Sequence, residues 1–354
     1  MTRYVIIGAG AIGSVIAARL AQHCPHQAVL VARGDNAKTI AEQGIHLRTP
    51  DEDVHVPVDV VTSPDQINLR PNDVLVFATK TQQVQAALLE WVDRPVDGTG
   101  AIAGDVLPVV MALNGVESER LAQRLFATVI GAAVWLPAAH LAPGEVIVRF
   151  APLSGAFIVG PCVPKGTVPN GTPVDPGTMP TLGSRTATDA LQADWQAAGF
   201  DVHVLDDVRP WKYRKLVMNL GNAIDAILGP GQKSDSAADI LAALTSEAQA
   251  VLTAAGVTLP SDEDEALWRG DGFVVRPVPG VDRALGTSSW QSIVRGSGSI
   301  ETDYLNGEIV LIARQHGLDA PLNATMQRIA RQAAAGHVAP GSMTPDELRA
   351  LLGI

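Results

Sequence analysis

Three glycines at fixed offsets constrain this chain more than any other feature. Gly8-Ala9-Gly10-Ala11-Ile12-Gly13 follows directly on Val5-Ile6-Ile7, an apolar run that reads as a strand, and opens Ala11–Gln22, which reads as a helix. The first glycine permits a tight turn, the second lets the backbone approach a pyrophosphate, and the third lets helix and strand pack closely. The helix N-terminus adds N–H groups and the positive end of its dipole. A second strand, Ala28-Val29-Leu30-Val31, follows where a βαβ unit requires one. The spacing therefore predicts a Rossmann-type dinucleotide-binding fold. The same stretch, with Arg3, Ala17 and Ala18, superficially suits a secretory leader, but a cleaved leader has no need of glycines at these offsets or of the strand beyond them.

Beyond that unit, short apolar runs at Asp73–Ala78 and Val109–Ala112 alternate with helix-like stretches at Asn36–Gln43, Gln82–Trp91 and Glu117–Leu125. Near-continuous apolar strands between helices predict a doubly wound parallel sheet, covered on both faces. From Glu145 to Gly160 the pattern changes to Val/Ile runs broken by Pro and Gly, as in antiparallel strands closing a domain. Residues 161–184 hold six Pro, four Gly and five Ser/Thr, and read as an exposed insertion. Ala187–Ala198 then reads as a helix and Phe200–Leu205 as a last strand. After Asp207 the strands stop and Trp211–Leu228, Ala237–Ala255, Ser299–His316 and Leu322–Ala334 read as helices. Thr344-Pro345-Asp346-Glu347 has the residues of a capped helix start. The fold class expected is α/β: a Rossmann-type dinucleotide-binding domain over 1–208, and a mainly α-helical substrate and catalytic domain over 209–354.

Charge narrows the partners. Lys and Arg number 26 against 37 Asp and Glu, a net charge of −11, which disfavours a nucleic-acid or anionic-membrane binder. No eighteen-residue apolar run suggests a membrane span. Two cysteines, Cys24 and Cys162, make no disulfide framework, so a soluble protein of a reducing compartment, the cytoplasm, is expected.

Individual residues carry the chemistry. Arg33 stands twenty residues after Gly13, at the end of the second strand, where an acidic residue would hold the ribose of NAD. A guanidinium there suits the 2′-phosphate of NADPH, while Asp35 keeps NAD open. Lys80 and Asn114 occupy loops after the next two strands, where ligands of open parallel sheets bind. Lys215, Asn219 and Asn222 are spaced i, i+4, i+7, which on one helix makes a polar stripe, either a solvated face or the wall of a polar cleft. His140, His203 and His316 show no metal-ligand spacing, and no metal is expected.

Together these segments resemble the ketopantoate reductase family, the NADPH-dependent 2-dehydropantoate 2-reductases, over nearly the whole chain. The resemblance rests on the glycine motif, Arg33, Lys80, Asn114-Gly115, Arg214-Lys215-Leu216-x-x-Asn219, Ser288-Ser289 and Glu301-Thr302-Asp303-Tyr304-Leu305-Asn306-Gly307. It implies reduction of ketopantoate to pantoate in pantothenate biosynthesis, with Lys215 as general acid and Glu301 as its partner. It also implies that Gly8, Ala9, Gly10, Ala11, Ile12, Gly13, Arg33, Lys80, Asn114 and Glu301 face the cofactor, and that Asn114, Lys215, Asn219 and Ser289 face the substrate. The expected partners are a small 2-oxo acid and a second copy of the chain in a homodimer.

Departures cluster on the substrate side. The family's second helix asparagine is Ala223 here, and Asn222, about 20° from Lys215 on an unbroken helix, would stand in for it. The usual Ser-Ser-Met-Leu-Gln-Asp reads Ser288-Ser289-Trp290-Gln291-Ser292-Ile293, and the asparagine expected three residues before Ser289 is Gly286. A related 2-oxo acid, a C=N bond of the opine or imine type, or an NADPH-binding sensor without turnover are the competing readings.

Overall fold

Alternate residues of the first strand, Arg3–Ile7, enter different cores. Tyr4 and Ile6 belong to one apolar cluster, Val5 and Ile7 to another. The next strand in the sheet, Asp73–Phe77, divides in the same way, with Val74 and Val76 on one side and Leu75 and Phe77 on the other. Period-2 side chains with no polar face leave a sheet no stable choice but burial on both sides. The computed structural model describes residues 2–162, 181–232, 236–269, 273–281 and 285–354.

The main sheet has eight strands in the order Asp201–Val204, Ala156–Pro161, Thr128–Trp135, Pro108–Met111, Asp73–Phe77, Arg3–Ile7, Ala28–Val31 and Asp59–Val61. All neighbours pair in parallel except Ala156–Pro161, which runs antiparallel to Thr128–Trp135. The change of pattern after Glu145 thus has two outcomes. Ala156–Pro161 joins the main sheet, whereas Glu145–Val148 joins a separate four-stranded sheet, parallel to Ile45–Arg48 and antiparallel to Ala138–Ala139. Phe157, Trp195 and Phe200 close one end of the core edge to face, at centroid distances of 4.8 Å and 5.3 Å from Phe157. Tyr4 donates its hydroxyl to Asp194 at 2.8 Å, and burial together with that carboxylate holds the phenol well above its usual range.

Two compact units divide the chain. The first contains Met1–Leu113, Glu117–Arg209 and Asp262–Val281, and the second contains Asn114–Val116, Pro210–Ser261 and Asp282–Ile354. The strands do not stop at Asp207, as the sequence suggested. Phe273–Val275 pairs antiparallel with Phe150–Pro152, while Arg276 pairs with Asp51 at 2.9 Å and the Trp268 ring lies tilted against Trp135, with centroids 4.5 Å apart. A three-residue strand whose partner lies more than a hundred residues away has no periodic signal of its own.

The expected insertion at 161–184 lies, for 163–180, outside the described residues; its last four residues belong to the helix Thr181–Ala197. The second unit is helical among its described residues, and Thr344 and Glu347 form the reciprocal capping bonds that their spacing announced. Among the described residues, no helix is long and apolar enough to cross a membrane.

Candidate active-site residues

In the first unit the glycine loop runs from the strand Arg3–Ile7 into the helix Ala11–His23. Gly8 adopts φ +112°, and a methyl group there would stand 2.9 Å from the backbone of Ala78 and Thr79. A methyl group at Gly13 would lie 2.0 Å from the carbonyl oxygen of Gly8. Position 10 is different: nothing lies within 4 Å of a Cβ there, and no side chain caps the helix. The outer two glycines therefore close the loop onto the sheet, and the middle one leaves its face open. An uncapped helix N-terminus with no acidic residue in its first turn can receive a pyrophosphate.

Arg33 precedes the helix Gly34–Gln43 and donates from Nη2 to both oxygens of Glu90, at 2.8 Å and 2.6 Å. The arginine is two-thirds exposed, so the pair is worth little to stability and the guanidinium can be drawn to another anion. Lys80 stands, half-buried, immediately before the helix Thr81–Val92, whose last turn carries Glu90.

Asn36 was not singled out from the sequence. Its amide donates to the Ala9 carbonyl at 2.7 Å and accepts from the Gly144 N–H at 2.7 Å, fixing the glycine loop from outside. Only the turn-like pair Asp35-Asn36 after a strand hinted at it.

The second unit gathers the remaining candidates. Lys215 and Asn219 lie one turn apart on the helix Arg209–Asn219. Asn219 is buried and donates to Asn114 Oδ1 at 3.0 Å, tying that helix to the short segment Asn114–Val116. Gly115, at φ +76°, passes so close to the Tyr304 carbonyl that a Cβ would stand 2.9 Å from it. Tyr304 ends the 3₁₀ turn Glu301–Tyr304, in which Glu301 is 3% exposed. The Asn219–Asn114 bond and the Gly115–Tyr304 approach bring the lysine helix, the Asn114 loop and the Glu301 turn together.

A buried amide chain supports the turn. Thr302 donates to Asn306, Asn306 to Asn323, and Asn323 to Leu244 O and Glu247, at 2.9–3.3 Å. Glu247 also accepts the first N–H groups of the helix Pro321–Ala335. Lys212, 3% exposed, is a buried lysine on the same helix that the spacing did not mark, whereas Lys215 is half-buried.

Two expected helices are broken. Arg209–Asn219 and Asn222–Leu228 are separate, with Leu220-Gly221 between them, so Asn222 does not continue the Lys215–Asn219 stripe. Leu220 closes a three-residue turn onto Val217, and glycine, a poor helix former, follows. Ser299–His316 likewise divides into the 3₁₀ turn and the helix Asn306–Gln315 at Leu305, whose φ of −113° and ψ of −86° are not helical. Ser289 is buried on the helix Ser288–Val294, and Thr287 just before it donates to the Asn222 carbonyl at 3.4 Å. Among the described residues, no group of His, Cys, Asp or Glu is placed to hold a metal.

The chain matches two family models, ketopantoate reductase PanE/ApbA over residues 4–162 and ketopantoate reductase PanE/ApbA C terminal over 207–334. It is 27% identical over 347 residues to a 2-dehydropantoate 2-reductase of Caulobacter vibrioides, covering 94% of this chain and all of that one. The crystal structure of a PanE/ApbA family ketopantoate reductase from Ralstonia eutropha superposes with a TM-score of 0.68 at 26% identity, over 94% of this chain and 99% of that one. A ternary structure of D-mandelate dehydrogenase with NADH and anilino(oxo)acetate superposes with a TM-score of 0.72 over 95% and 99% of the two chains. At 18% identity that likeness concerns the fold alone.

The glycine geometry sets an expected contrast. Gly13→Ala should lose about 3 kcal/mol of unfolding free energy, since a backbone oxygen must move. Gly10→Ala should lose about 1 kcal/mol or less. Urea denaturation of both variants measures the difference, and equal losses would contradict the division of roles.

Proposed function

The chain belongs to the ketopantoate reductase family, a family of oxidoreductases, and on that premise we propose that it reduces a small branched 2-oxo acid to the 2-hydroxy acid with NADPH. 2-Dehydropantoate, the substrate in its relatives' name, is the reference substrate. The observation that carries this reading is the meeting of the Lys215 helix with the Asn114 loop and the Glu301 turn through the Asn219–Asn114 bond and the Gly115–Tyr304 approach.

Bound NADPH would supply the hydride for C2 of the oxo acid. The glycine loop and the N-terminus of the helix Ala11–His23 would hold its pyrophosphate, and Arg33, leaving Glu90, its 2′-phosphate. The remaining steps belong to the protein. The Lys215 ammonium polarises the substrate carbonyl by hydrogen bonding to its oxygen, then donates a proton to the developing alkoxide. Glu301, in the buried turn, orients that ammonium and favours its charged form. Asn219 and Ser289 hold the substrate's polar groups, and Asn114 fixes Asn219.

Two outcomes follow. Arg33→Ala should raise KM for NADPH ten- to hundredfold and leave NADH nearly unchanged, since a charged hydrogen bond is worth roughly 1.5–3 kcal/mol. Glu90→Ala, which removes the competing carboxylate, should lower KM for NADPH by up to about fivefold. Steady-state kinetics with both nucleotides decide, and a wild type that prefers NADH contradicts the assignment of Arg33.

Lys215→Ala should cut kcat by about 10²–10⁴, with NADPH affinity, read by fluorescence titration, hardly changed. If the variant keeps more than about a third of wild-type kcat, the lysine is not the acid.

A further inference from the structure

Gly286 has no positive φ, so its backbone would accept any residue. What excludes a side chain there is Trp290. A Cβ at position 286 would lie 2.5 Å from the indole Cδ2 and 2.7 Å from both Cε3 and Cγ. The ring therefore lies against the glycine Cα, in the space that a side chain at 286 would fill. Its surroundings are pinned: Gln291 donates to the Gly286 carbonyl at 2.9 Å, Thr287 donates to the Asn222 carbonyl at 3.4 Å, and Ser292 donates to the Ser288 carbonyl at 3.0 Å. Ser289, beside Trp290 in sequence, is buried, while the indole is only half-buried.

Two of this segment's departures from the family pattern, Gly286 and Trp290, are thus one change. Loss of the side chain at 286 makes room for the indole, and the indole forbids its return. A hydrogen-bonding amide is exchanged for a rigid apolar surface at position 286, on the segment that also carries Ser289. A substrate hydroxyl lodged against such a surface gives up water without gaining a partner, whereas an alkyl or aromatic substituent gains contact.

We propose that Trp290, matched to Gly286, determines substrate specificity by presenting an apolar wall, and that the preferred substrate is a 2-oxo acid with an apolar or aromatic substituent and no hydroxyl at that wall. This rests on the reaction proposed above.

The test compares kcat/KM for 2-dehydropantoate, for 3-methyl-2-oxobutanoate (the same branched skeleton without the hydroxymethyl group) and for phenylglyoxylate. The proteins are the wild type, Trp290→Met, Gly286→Asn and the double variant, each checked for folding by circular dichroism. The wild type should favour the unhydroxylated acids by about fivefold or more. Gly286→Asn alone should lose thermal stability, and adding Trp290→Met should restore it, a non-additivity expected of groups competing for one space. The double variant should move the preference at least about tenfold toward 2-dehydropantoate, within the range that one pocket contact can supply.

A wild type that favours 2-dehydropantoate tenfold, or a preference that moves less than about twofold in the double variant, overturns the proposal. A wild type that oxidises NADPH with none of the three acids overturns the reductase reading instead. In that event, saturable quenching of tryptophan fluorescence by phenylglyoxylate that is lost in Trp290→Phe supports the wall, and absence of that quenching overturns it.

Discussion

The close approach of one helix to one strand underlies the first unit. With a Cβ at position 13 only 2.0 Å from the Gly8 carbonyl oxygen, the helix Ala11–His23 reaches the sheet only because residue 13 has no side chain. The same approach bends the chain tightly enough that Gly8 takes φ +112° against the Ala78 backbone. Packing and binding geometry are then one property: what lets the helix sit on the sheet also leaves its N-terminus uncapped and the face of Gly10 open. Asn36 holds that loop by donating its side-chain amide to the Ala9 carbonyl at 2.7 Å, and is itself held by the Gly144 N–H at 2.7 Å.

Interruption plays the corresponding part in the second unit. A continuous helix through residues 211–228 would carry Lys215, Asn219 and Asn222 on one stripe. The break at Leu220-Gly221 ends the lysine helix at Asn219, whose amide bonds Asn114. The break at Leu305 separates the turn that holds Glu301 from the helix Asn306–Gln315, and a chain of buried side-chain hydrogen bonds runs from Thr302 through Asn306 and Asn323 to Glu247 beside it. Buried polar groups of this kind are tolerated only when each has its partners, and a satisfied network holds one geometry.

Legibility followed the range of the interactions. The central strands were plain because each alternates between two apolar cores, so every residue from Tyr4 to Ile7 is apolar. The glycine motif was plain because its offsets reflect backbone contacts within a few residues. The short strand Phe273–Val275 was not, because its partner Phe150–Pro152 is distant and its Val274 and Val275 are exposed at an edge. Asn36 and Glu90 were missed because their roles lie in what they bond across the sheet's edge loops. Lys215 and Glu301 were named through family resemblance. Spacing alone gives a polar stripe that includes Asn222, but the lysine helix ends at Asn219 and Asn222 begins the next one.

In the proposed reaction a hydride passes from NADPH to C2 of a 2-oxo acid. The most direct measurement is the fate of deuterium carried at C4 of NADPH, on each face in turn, during reduction of 2-dehydropantoate and its unhydroxylated analogue. One of the two labelled nucleotides should deliver deuterium to C2 of the hydroxy acid, and the other should deliver none. Hydroxy acid without deuterium from either nucleotide, or no hydroxy acid formed from either substrate, would contradict that reaction.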